Sequence, residues 1–385
     1  MHLISDNMWM VAAVWMTLAA AGALLAVRLK LAAALTEIVL GILAGNIIGL
    51  HSNAWVDFVA GFGSIMLTFL AGAEIDPAVL RAQLVPSLVL GFVSFLAPFG
   101  SAWLYALFVA HWSPDGSKIA GIAMSTTSVA VVYAVLVESG LAKREFGQLI
   151  LAACFFTDLG TVVALGLLFA SYNAWLVLLI VAIAASMFVV PRLLPPLFER
   201  MRPYVSEPAL RILFAVIFAL GAIATYAKSE GVLPAYFLGL ACAGVMLSHP
   251  DVKRRLQTMT MTLLAPFYFL RAGTFVSLAD AWRGIGLIGA FFLVKVIAKI
   301  AGVWPVARLF RYEVRDANYL TLLMATGLTF GTISSLYGLT HHYIDQAQYT
   351  ALVTVVILTA IVPTIIAQAL FKPSEEPEEF EAEVP

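Results

Sequence analysis

Apolar runs of about twenty residues follow one another along nearly the whole chain, and the short junctions between them hold most of the charge. A run of that length crosses the roughly 30 Å hydrocarbon core of a bilayer as a helix. Lipid offers the backbone no hydrogen-bond partners, so a spanning run must satisfy its own N–H and C=O groups, as a helix does. With Gly, Pro and charge as punctuation, about thirteen spans are read: 9–27, 31–50, 57–73, 85–110, 119–137, 147–170, 173–193, 209–227, 231–248, 259–279, 284–304, 318–337 and 346–371. The fold class is an all-α polytopic membrane protein. Only 12% of the 385 residues are charged, against about 25% in soluble domains, so each charge inside a span is informative by itself.

Residues 1–372 read as one transmembrane domain, with junctions too short for a soluble one. The first run lacks a basic leader and is long enough to span, so it is expected to be retained. Residues 373–385, with six glutamates, read as a disordered acidic tail. The net charge of −1 gives no nucleic-acid footprint. Cys154 and Cys242 lie in apolar runs and imply neither a disulfide nor a metal framework.

Basic residues set the orientation. One set of alternate junctions collects Arg28, Lys30, Arg81, Lys143, Arg144, Arg192, Arg200, Arg202, Lys253, Arg254, Arg255, Arg308, Arg311, Arg315 and Lys372; the other holds Lys118, Lys228 and Arg283. The asymmetry places the N-terminus outside and the C-terminus in the cytoplasm, and the plasma (inner) membrane is the expected location. An odd span count lets segments 1–6 and 8–13 form two units of opposite orientation, the inverted-repeat plan of secondary transporters. Segment 5 then corresponds to segment 12. Both carry clusters suited to an unwound helix, Ser125-Thr126-Thr127-Ser128 and Thr326-Gly327-Leu328-Thr329-Phe330-Gly331-Thr332. Glycine weakens a helix, and hydroxyls satisfy the backbone groups that unwinding frees.

Asp158 is a lone carboxylate near the centre of the span 147–170. Such a residue is costly to insert and marks an ion or proton site. A hard cation takes oxygen ligands, which Thr157 and the segment 5 hydroxyls, Thr127 and Ser128 among them, are placed to supply. Lys295 and Lys299 are four apart on segment 11 and share one helix face, and at least one is expected at the site. Arg271 lies within segment 10 without a partner that the sequence names. Glu37 and Glu74 lie toward the cytoplasmic ends of segments 2 and 3, where they are candidates for a cation-attracting funnel.

Several local patterns, in order, resemble the monovalent cation:proton antiporter superfamily, most closely its second branch of sodium/proton antiporters and Kef-type potassium transporters. They are Leu35-Thr36-Glu37-Ile38-Val39-Leu40-Gly41-Ile42-Leu43-Ala44-Gly45, Phe69-Leu70-Ala71-Gly72-Ala73-Glu74-Ile75-Asp76, Thr127-Ser128, Thr157-Asp158 and Ala298-Lys299-Ile300-Ala301-Gly302. The resemblance covers nearly all of the chain. It implies core helices at about 85–170 and 284–371, with segments 5 and 12 crossing as broken helices, and the remaining helices as a dimerisation scaffold. It also implies a homodimer, an Asp158 that binds a proton and a cation in turn, and a Lys299 that offsets broken-helix charge or exchanges a proton with the site.

Two departures from the family pattern matter. Electrogenic relatives often carry two adjacent aspartates where this chain has Thr157-Asp158, so one proton is expected to exchange for one monovalent cation without net charge movement. An Arg-Gly-Glu-type motif is absent from Thr326-Gly327-Leu328-Thr329-Phe330-Gly331, which leaves Na+ against K+ open. No cofactor and no regulatory nucleotide-binding domain are expected. Other readings stay open: a sodium-coupled symporter of an organic anion on a related fold, and a passive cation channel or sensor. Neither a Ser/His/Asp order nor a phosphate-binding glycine loop supports an enzyme.

Overall fold

Each apolar run becomes a helix or a pair of half-helices. The computed structural model describes residues 7–29, 32–73, 83–142, 144–169, 173–201, 207–227 and 231–373, and among these there is no β-strand. Glu74, Lys143 and the tail from 374 onward lie outside the described residues.

In chain order the helices are α1 (Met8–Leu29), α2 (Ala33–Ile47), α3 (Ala54–Ala73), α4 (Leu84–Leu104, prolonged by a π turn over Tyr105–Val109), α5 (Pro114–Ser125), α6 (Val129–Glu138) and α7 (Glu145–Leu168). They continue with α8 (Ala174–Met201), α9 (Pro208–Tyr226), α10 (Val232–Ser248), α11 (Pro250–Met259), a π turn over Thr260–Leu264, and α12 (Ala265–Thr274). The last are α13 (Leu278–Arg283), α14 (Ile285–Leu309), α15 (Val314–Met324), α16 (Thr329–Thr340) and α17 (Gln346–Leu370). Among the described residues nine segments are long and apolar enough to cross a membrane, and α2 and α10 are shorter apolar helices.

Four of the expected spans deviate in instructive ways. Segment 5 is broken: α5 stops at Ser125, Thr126 is extended (φ −63°, ψ 153°), and α6 begins at Val129. Segment 12 is broken likewise between Met324 and Thr329. The span expected at 259–279 begins instead at Pro250 and ends at Thr274. Its first turns, Pro250 to Met259, are too polar to register as a span, yet Val252 and Leu256 face inward and carry the helix. The span expected at 173–193 runs on to Met201 through Pro191, Pro195 and Pro196. Those prolines and Arg192 read as a stop, but neighbouring turns sustain the helix, and the Arg192 guanidinium donates to the Phe188 carbonyl at 2.7 Å.

Polar caps fix helix starts. Ser113 Oγ accepts from the Gly116 amide beside Pro114 at the start of α5, and Asp345 and Gln348 form a reciprocal capping box on α17. The packing sorts into two sets of neighbours. α3 lies against α10 and α12, α2 against α12 and α1, and α8 against α9 and α10. α4 packs on α5, α7 and α14, α14 on α15 and α17, and α16 on α5 and α17. Close approach in the first set rests on glycine. A β-carbon at Gly239 would stand 2.0 Å from the Phe69 carbonyl oxygen, and one at Gly72 would stand 2.4 Å from that of Tyr236.

Candidate functional site

The two breaks cross, and each supplies what the other has lost. Where a helix stops inside a membrane, its last carbonyls and the next amides need partners. Thr126 Oγ1 donates to the Ala123 carbonyl at 3.0 Å and lies 3.2 Å from that of Gly327. Thr127 Oγ1 donates to the Met324 carbonyl at 2.9 Å, and the Ser128 amide donates to Thr326 Oγ1 at 3.3 Å. The hydroxyls that suggested unwinding therefore knit α5–α6 to α15–α16. All four residues from Ser125 to Ser128 are buried.

α14 brings both lysines to this crossing, each fully buried. The Lys299 ammonium has three N–H donors and three acceptors: Ser94 Oγ at 2.7 Å, the Ser125 carbonyl at 3.0 Å and Thr127 Oγ1 at 3.0 Å. It thus covers the carbonyl end of α5, where the helix dipole is negative. Lys295 Nζ, one turn away, has no hydrogen-bond partner. It rests on Gly327, where a β-carbon would come within 2.2 Å of Nζ and 2.5 Å of Thr126 Oγ1.

Asp158 lies on the unbroken α7, only 2% exposed, and its Oδ1 has no hydrogen-bond partner. Among the described residues no ion pair joins it to Lys299. Thr157 faces differently: its hydroxyl donates to backbone carbonyls, with Ala153 at 3.0 Å and Gly91 of α4 at 3.2 Å. It ties α7 to α4. Ser128 Oγ is the most loosely held of the candidate hydroxyls, 3.5 Å from both Thr329 Oγ1 and the Val131 amide.

Other expected residues lie apart from this cluster. Glu37 is buried on α2 against α1, where a β-carbon at Gly22 would stand 3.1 Å from its Cγ. Arg271 finds the partner the sequence did not name. Its Nε donates to Asp57 Oδ1 at 2.6 Å, across α12 and α3, and its guanidinium lies 5.2 Å from the Phe275 ring centre.

Two residues were missed by reading the sequence. Ser94 had a faint signal, since Ser87 and Ser94 are seven apart on α4 and both are buried. Tyr236 had none. It stands on α10, 1% exposed, and its hydroxyl donates to the Phe155 carbonyl of α7 at 3.3 Å.

The chain is similar to known proteins over nearly its whole length. Residues 15–372 match the family model described as sodium/hydrogen exchanger, transmembrane. The Na(+)/H(+)-K(+) antiporter GerN of Bacillus cereus is 23% identical over 88% of this chain and 89% of its own length. A Na(+)/H(+) antiporter of Enterococcus hirae is 23% identical over 90% of this chain and 93% of its own. A glutathione-regulated potassium-efflux system protein of Haemophilus influenzae is 26% identical over 89% of this chain and 57% of its own length. The solved structure of the sodium proton antiporter MjNhaP1 from Methanocaldococcus jannaschii has the same fold, with a TM-score of 0.67 at 16% identity, covering 93% of this chain and 95% of that one. The chain is a multi-pass membrane protein and belongs to the sodium/hydrogen exchanger transmembrane family.

Proposed function

We propose that the protein exchanges a monovalent cation, Na+ or K+, for protons across a membrane by alternating access at Asp158. The observation that carries this reading is the buried, unpartnered Oδ1 of Asp158, one turn along α7 from Cys154, whose Sγ lies 3.6 Å from Met324 Sδ at the crossing. Relatives named for Na+/H+, Na+/H+-K+ and potassium transport support antiport and both candidate ions.

The cycle is competition at one carboxylate. With a proton bound, the site is neutral and can cross. With a monovalent cation on Asp158, and oxygens from Thr127 and Ser128 completing its shell, it is neutral again. Empty and ionised, it carries a charge whose desolvation opposes crossing. That penalty couples the two fluxes. The three acceptors around the Lys299 ammonium suit a fixed charge that balances the end of α5, which leaves Asp158 as the exchanging group and the exchange electroneutral. Thr157 serves by pinning the Asp158 turn to α4. The moving core in this reading comprises α4–α7 and α14–α17, and the other helices form a scaffold through which two copies associate. The N-terminus faces outward and the C-terminus the cytoplasm.

The test uses purified protein in liposomes with a trapped pH dye and an imposed pH gradient. Sodium or potassium added outside dissipates the gradient in the wild type, and Asp158→Asn does not respond. Full exchange by Asp158→Asn overturns the assignment.

A further inference from the structure

The side chain of Tyr236 reaches from the proposed scaffold to the helix that carries Asp158. Its hydroxyl donates to the Phe155 carbonyl, three residues before Asp158 on α7, at 3.3 Å. A helical carbonyl already bonded along its own helix keeps a second lone pair, so this bond adds to the α7 ladder without breaking it. The Tyr236 ring stacks on Phe155 at 5.8 Å between centroids with a 10° angle between planes. Its other side meets Phe330, in the first turn of α16, edge-on at 6.2 Å. One residue thus grips both the Asp158 helix and a half of the broken helix.

The grip is rigid on the scaffold side. Tyr236 stands on the stretch of α10 that Gly72 and Gly239 bring into backbone contact with α3. Close-packed interiors do not deform gradually, so α10 cannot follow α7 if the core shifts. The hydroxyl bond and both ring contacts must then break together.

We propose that Tyr236 is a positioning residue that latches the Asp158 helix and α16 onto the scaffold in the state seen here, and that each transport cycle releases and remakes this latch. The proposal rests on the exchange reading above, because only a moving core has a latch to release.

Tyr236→Phe keeps both ring contacts and removes the hydroxyl. In proteoliposomes its exchange rate at saturating cation rises about threefold, with the apparent KM for the cation within about twofold of wild type, because the hydroxyl bond holds a state and not the ion. Hydrogen–deuterium exchange of the purified protein reads the latch separately. Amides of residues 150–160 exchange faster in the variant, whereas those of α2 and α12 keep wild-type protection. A wild-type maximal rate together with wild-type protection at 150–160 overturns the proposal. If Tyr236→Phe loses protection throughout, Phe330→Leu, which loosens the contact from the core side, must give the rate increase at constant KM, and its failure overturns the latch. If the wild type itself moves no protons in response to sodium or potassium, the exchange reading fails, while the protection difference at 150–160 still decides whether the contact holds α7.

Discussion

The Lys299 ammonium donates to Thr127 Oγ1 at 3.0 Å, so an unbroken helix, α14, supports the extended link between the two halves of segment 5. Thr127 passes the bond on, donating to the Met324 carbonyl where α15 stops. One chain of hydrogen bonds therefore runs through three membrane segments. Four residues along the same face of α14, Lys295 has no such chain.

That contrast predicts opposite outcomes for one chemical change. Lys299→Met leaves Ser94, Ser125 and Thr127 without their buried donor, and a buried polar group left unsatisfied costs about 1–3 kcal/mol. Its thermal midpoint in detergent falls by about 5 °C or more, and exchange is lost. Lys295→Met removes a buried nitrogen with no partner and keeps the volume. Its midpoint stays level or rises. Unfolding scans of the two variants side by side decide this, and equal losses would refute the distinction.

Gly327 is the other half of the Lys295 site. A β-carbon there would meet Lys295 Nζ at 2.2 Å and Thr126 Oγ1 at 2.5 Å, so Gly327→Ala must displace both, at a cost of about 1–3 kcal/mol. The Lys295→Ala/Gly327→Ala double variant frees the first contact and leaves the second. It is therefore more stable than the sum of the single changes by at least about 0.5 kcal/mol. Additive losses would mean that the ammonium yields freely.

A one-carboxylate site also makes a prediction about pH. When proton and cation compete for Asp158 alone, lowering pH below its titration raises the apparent KM for the cation about tenfold per unit and leaves the maximal rate unchanged. If two groups exchanged protons in each cycle, the dependence would be steeper, as coupled sites titrate together. Initial rates over a grid of cation concentration and pH separate the two.

Much of this was legible in the chain. All thirteen segments appear as helices or half-helices, because in lipid the backbone has no alternative to helix where runs are long and apolar. The breaks fell where hydroxyls and glycines cluster, as at Ser125-Thr126-Thr127-Ser128, since those residues can satisfy freed backbone groups locally. The polar start of α11 was missed because hydropathy registers lipid-facing length and not amphipathic burial by Val252 and Leu256. The three acceptors of Lys299 and the reach of Tyr236 depend on which helix faces which, and span order alone does not encode that. Arg271 could be recognised as needing a partner, but Asp57 stands 214 positions away and only the fold brings them together.

That pair gives the last prediction. Arg271 is 14% exposed at its side chain and Asp57 42%, with Nε to Oδ1 at 2.6 Å, so water screens one partner and the pair is worth only about 1 kcal/mol. It joins α3 to α12, both in the proposed scaffold. Arg271→Gln therefore lowers the thermal midpoint modestly and leaves the cation KM and the pH dependence of exchange as in wild type. The reversed pair, Asp57→Arg with Arg271→Asp, recovers part of the loss. An altered cation KM in Arg271→Gln would place Arg271 in the transport path instead, and a reversed pair no more stable than Arg271→Gln would show that the Phe275 contact at 5.2 Å, not the ion pair, holds the guanidinium.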